Sequence, residues 1–250
     1  MSVFDGRLQF AQAIFTGIDY ALYLRHNTHQ PLTPFILTLK NGQITHRQQA
    51  DGHNPEEALN QLAQQLEQPF DQVIMCMEVK VGHAEGPQHD AVMVKAFDAG
   101  EPLGMLFGQR FVAPETGQPL SRVGRATLFG TEVPSPLPIT AQPARQPGPS
   151  LITAAASPRE DGTSKQVITA GHLNTSLLAH DLLNYTRDIL EAQGINFSGE
   201  LEINLVPYAP IGAFEQWLFT SLTERIQSQS AAKAWERKQG RSVIVTLNLP

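Results

Sequence analysis

A chain of 250 residues, 41% apolar and 17% charged, is long enough to bury a core and too apolar to remain disordered. Its net charge of −6, with no basic stripe, argues against nucleic acid and anionic membrane as partners. The single cysteine, Cys76, cannot close an internal disulfide, which fits a reducing cytoplasm.

The opening MSVFDGRLQFAQ lacks a basic segment followed by an unbroken apolar run, so no signal peptide is expected. No apolar run approaches the length of a membrane span. Leu8, Ala11, Ile14, Phe15, Ile18 and Leu22 recur at spacings of three and four and predict a first helix. Gly17 weakens that helix by roughly 1 kcal/mol. His26 and His29 are expected just beyond its end. PFILTLK and QITHRQ flank Asn41-Gly42, a hairpin signal because both turn residues need positive φ.

HNPEEALNQLAQQL predicts a second helix. Asn54 is its cap, Pro55 its first residue and Glu57 its third, with Leu59, Leu62 and Leu66 as the buried stripe. Four strand-like runs follow, VIMCMEVKV, AVMVKAF, GMLFGQRFV and RVGRATLF. Turn-rich pieces between them predict an antiparallel meander. Gly104, Gly108 and Gly124 mark bulges or close approaches. Residues 1–132 thus read as an α+β unit, an antiparallel β-meander with two helices packed on one face.

Residues 133–165 read as a Pro-rich connector: VPSPLPITAQPARQPGPS can be neither helix nor central strand. Residues 166–250 read as a smaller β-α-β-α-β unit. Its strands are KQVITA, ELEINLV and SVIVTLNL. One helix is lined by Leu178, Leu182, Tyr185 and Ile189. The other carries Phe214, Leu218, Leu222 and Ile226 and extends toward Trp235.

No nucleotide, zinc-peptidase, redox or hydrolase motif is present, and no cofactor is expected. The sharpest local cluster is GHAEGPQHDA, which gathers His83, Glu85, His89 and Asp90. Imidazole and carboxylate suit several divalent metals. A Gly-Pro loop, however, directs side chains poorly, and a solvated hairpin tip accounts for the same residues. The expectation is no bound metal.

Counting back from that tip, with Gly82 opposite Ala91, puts Val81, Val79 and Met77 opposite Val92, Val94 and Ala96. Glu78 then faces Lys95, and His83 latches to Asp90. Glu78, Lys80, Lys95, Gln109 and Arg110 punctuate the meander and could line a pocket walled by Met93, Phe97 and Phe111. The candidate ligand set is therefore His83, Glu85, His89, Asp90, Glu78, Lys95 and Arg110.

The leading expectation is a soluble binding or assembly protein acting through protein contacts, by default a homodimer. The alternatives are a small-molecule enzyme or ligand binder at the meander pocket, and a metal-binding module at the 83–90 loop.

Overall fold

The computed structural model describes residues 8–40, 43–67, 69–82, 88–113, 120–138, 152–158, 164–170, 199–205, 232–236 and 243–249. It also describes Ala213, Phe214, Trp217, Leu218 and Ile226. The chain divides into two compact units, one of Gln9–Gln146 and one of Pro147–Pro250 with Met1–Leu8.

In the first unit the long apolar helix α1 runs Leu8–Thr28. Its expected residues Ile14, Ile18 and Leu22 are fully buried, joined by Phe10, Ala13 and Ala21. His26 lies inside its last turn, and His29 follows in the left-handed region with φ 53°. Strands β1 (Phe35–Lys40) and β2 (Gln43–Gln49) pair antiparallel across the Asn-Gly position. Helix α2 spans Pro55–Gln64. Asn54 caps it as expected, its Oδ1 accepting from the amides of Glu56 and Glu57 at 3.2 and 3.3 Å.

The meander follows as β3 (Gln72–Val81), β4 (His89–Asp98), β5 (Leu103–Val112) and β6 (Ser121–Pro134). All neighbours pair antiparallel in one six-stranded sheet, ordered β2-β1-β3-β4-β5-β6. The α+β meander with two helices is therefore present.

The helices do not share a face. α1 lies against Ile74 and Cys76, since a Cβ on Gly17 would sit 2.4 Å from Ile74 Cγ2 and 3.7 Å from Cys76 Sγ. α2 lies against the intervening residues. Leu59 and Ala63 cluster with Ile36, Val73, Met75, Phe70 and Phe97. Successive strand residues point to opposite faces, so the sheet is sandwiched, with α1 on one side and α2 on the other. Ring contacts of Tyr20 with Phe35 and of Phe15 with Phe107 extend the α1 side across β1 and β5.

Two-sided burial also overturns the expected β3–β4 register. Val81 pairs with His89, Val79 with Ala91, Glu78 with Val92 and Met75 with Lys95. The pairing is displaced by three residues from the count made from the hairpin tip. That count assumed one buried face, whose alternation would select the register. Val73, Ile74, Met75 and Cys76 are all fully buried, so alternation carries no information along this run. The anticipated His83–Asp90 latch gives way at Asp90 to an ion pair with Lys80 at 2.9 Å. His83 itself lies outside the described residues.

The three glycines perform the roles expected of them. A Cβ on Gly104 would sit 2.2 Å from the Ala96 carbonyl oxygen, and one on Gly108 would sit 2.7 Å from both Met93 Sδ and the Phe129 ring. The β5–β6 pairing shifts register next to both. Gly124 takes φ +67° on the bulged strand. Beyond it, Val133 and Leu137 pack onto the α2 cluster, so residues 133–138 lie down on this unit.

In the second unit, β7 (Ile152–Pro158), β8 (Ser164–Ala170), β9 (Gly199–Leu205), β10 (Ala232–Glu236) and β11 (Val243–Leu249) form a sheet ordered β10-β11-β9-β8-β7. β8, β9 and β11 fall on the three expected strands, and β8–β9 is a parallel pair. β7 lies within the stretch expected to be connector. Trp235 is a strand residue, paired with Ile244, rather than the end of a helix. Phe214, Leu218 and Ile226 are helical and buried. The helix expected over Leu178–Ile189 lies outside the described residues.

Candidate functional site

The polar side chains of the first unit fall into two groups on opposite faces of the sheet. On the α1 side, β3 presents Glu78 two residues beyond Cys76. Its Oε2 accepts the Leu32 amide at 2.8 Å and lies 3.2 Å from Arg25 Nε in the last turn of α1. Both side chains are nearly buried. The guanidinium is close enough to pair, yet Nε and Nη1 make no aligned hydrogen bond among the described residues. A second ion pair joins fully buried Asp19, in mid-helix, to Arg122 at the start of β6. Gln109, also buried, donates from Nε2 to the carbonyls of Arg110, Val123 and Gly124, holding the bulge of β6.

Together these contacts fasten α1 to β3 and β6. Buried ion pairs contribute little net stability but penalise strongly any arrangement that separates them. Two such pairs, six residues apart on one helix, fix its register on the sheet.

On the α2 side, Lys95 pairs with Glu56 from the first turn of α2. Arg110 is exposed, directly across from Ala91. Met93 and Phe97 share this side, whereas Phe111 is buried on the α1 side with Glu78 and Gln109. The polar set anticipated around one pocket is thus divided by the sheet. Glu78 and Gln109 are on the α1 side, while Lys95 and Arg110 are on the opposite face.

At the β3–β4 end, His89 stands across from Val81 and Asp90 across from Lys80. His83 and Glu85 lie outside the described residues. Among the described residues no group of three or more His, Cys, Asp or Glu side chains could hold a metal ion. Cys76 is fully buried, with its Sγ 3.7 Å from the Gly17 carbonyl oxygen. Burial pushes its thiol well above the ordinary range, so it stays protonated and unreactive.

The least covered large apolar side chains among the described residues lie on the last two strands of the sheet. Leu103, Val112 and Phe129 are 45%, 53% and 54% exposed, and all three belong to β5 or β6. Val112 and Phe129 are on the α2-side face, beyond the reach of α2. The Phe129 ring lies over Gly108 against Met93 Sδ, where the missing Cβ makes room. Half-buried Met77, Met93 and Leu106 continue this surface, with Arg110 at its rim.

The candidate residues read from sequence did not include Arg25, Asp19, Arg122 or Phe129. Asp19 carried one signal, a charge inside an otherwise apolar helical run. Phe129 carried none, since an apolar residue in a strand is as readily inside as outside.

No known family matches this sequence, and no characterised protein or solved structure is significantly similar to it. No helix among the described residues is long and apolar enough to cross a membrane.

Proposed function

We propose that this chain is a binding or assembly protein that works through protein contacts at the β5–β6 border of its first unit. One observation supports the reading. Every large apolar side chain exposed among the described residues lies on those two strands, and the half-exposed Phe129 ring with Met93, Met77 and Leu106 makes an apolar surface on the α2-side face of the kind that marks interaction sites. The partner is a protein or a second copy of the chain, not nucleic acid or membrane. The buried, unreactive Cys76 is compatible with the cytoplasm as the place of action. For the second unit we keep the order β-α-β-α-β as its centre. The parallel β8–β9 pair requires a crossover, and residues 171–198 carry the apolar period of a helix.

The test places a photo-crosslinking side chain at position 129 and, separately, at Gln48 on the opposite edge strand. In the living cell, position 129 should yield discrete protein adducts and position 48 none. Adducts of equal strength at both positions, or at neither, would contradict the reading.

A further inference from the structure

We infer that the uncovered half of the α2-side face binds an acidic amphipathic helix of another protein. The apolar stripe of that helix lies on Met93 and Phe129, and its carboxylates meet Arg110 and Arg125. This rests on the contact surface proposed above and gives the chemistry of its partner. On this face α2 packs over Ile36, Met75 and Phe97. Beyond it Met93 and Leu106 are half-buried, and Val112 and Phe129 are exposed. The strand from Leu106 to Val112 measures about 20 Å, the length of a helix of some 13 residues. Methionines adapt readily to apolar side chains of varied shape. β6 is the terminal strand, but its pairing with β5 shifts register three times. Such bulges discourage a further strand along the edge. The face therefore takes the partner, and an open sheet face is covered by helices.

α2 itself shows the chemistry this face accepts. It carries Glu56 and Glu57 in its first turn, buries Leu59 and Ala63, and sets Glu56 against Lys95 of the sheet. The open half repeats the cation without the acid. Arg110 is exposed on the same face, and its side chain has no hydrogen-bond or ion-pair partner among the described residues. The same holds for the exposed Arg125. A Cβ on Gly124 would sit 3.6 Å from Arg110 Nη2, so this guanidinium lies over the residue next to Arg125. Among the described residues of β3–β6 no carboxylate shares this face. In a chain of net charge −6, two neighbouring uncompensated guanidiniums select carboxylates, which they bind through paired hydrogen bonds. One aromatic ring among aliphatic side chains suits a protein helix rather than stacked bases.

Selection from a displayed library of random peptides of about 16 residues, some four helical turns, tests this. The full chain is the target as wild type, as Arg110→Glu with Arg125→Glu, and as Phe129→Lys. The wild type should enrich peptides with apolar residues at spacings of three and four and an excess of Asp and Glu. The charge-reversed variant should enrich Lys and Arg in their place and bind the wild type's peptides about tenfold more weakly. Phe129→Lys should lose those peptides. Both reversed arginines are exposed and unpaired, so that variant keeps the fold even if Phe129→Lys does not. Neutral or basic peptides on the wild type, or no enrichment at all, would overturn the inference. So would a selection unchanged by the charge reversal, or a single-stranded oligonucleotide that binds as tightly as the selected peptides. The crosslink at position 129 separates this from the contact surface. If it persists undiminished in cells carrying the charge-reversed variant, the acidic partner falls and the surface stands. If it is absent from the wild type, both fall.

Discussion

At Gly17 a helix and a strand approach as closely as backbone allows. A Cβ there would meet Ile74 Cγ2 at 2.4 Å, inside any normal contact. The glycine that lowers helix propensity is what lets α1 lie against β3. Gly17→Ala should therefore destabilise the unit by about 1–3 kcal/mol through overpacking, although alanine is the better helix former. Urea unfolding measures this, and a stabilised variant would show that α1 does not lie this close. The Arg25–Glu78 pair makes a second residue-scale expectation. Glu78→Ala leaves a buried guanidinium without its counter-charge and should cost about 3–5 kcal/mol. Arg25→Met with Glu78→Leu removes both charges and should recover most of that loss. Cys76 should ignore a soluble thiol reagent in the folded chain and react once the chain is unfolded.

Among elements, β3 and β4 are where sequence reasoning was least able to succeed. Caps and turns are local: Asn54, Pro55 and the Asn41-Gly42 pair announced α2 and the first hairpin because side chain and backbone meet within three residues. The four meander strands and their glycines were legible for the same reason. Register is not local. It depends on what covers each face, and the run Val73–Cys76 is buried on both. The same two-sided burial hid the division of the polar residues, since Glu78 and Lys95 belong to different layers. The exposed apolar side chains of β5 and β6 were invisible because exposure of Phe129 follows from the edge position of β6, which only the strand order reveals. A disulfide distinguishes the two registers. Val79→Cys with Ala91→Cys, directly opposite here, should oxidise readily, whereas Glu78→Cys with Lys95→Cys should not. The reverse outcome would restore the register counted from the hairpin tip.

For the whole molecule, the two edges of the first sheet differ in kind. β2 is polar and exposed along nearly its whole length. β6 is longer and bulged, with the exposed apolar side chains on it and on its neighbour. The proposed contact at β5–β6 therefore expects a solvated border at β2 and a covered one at β5–β6. Covalent footprinting of exposed side chains, performed on the dilute purified chain and inside the cell, tests this most directly. Labelling of Val112 and of residues 121–134 should fall in the cell, while labelling of residues 43–49 stays unchanged. Protection that falls on residues 43–49 instead, or on neither border, would contradict the assignment of β5–β6 as the contact surface.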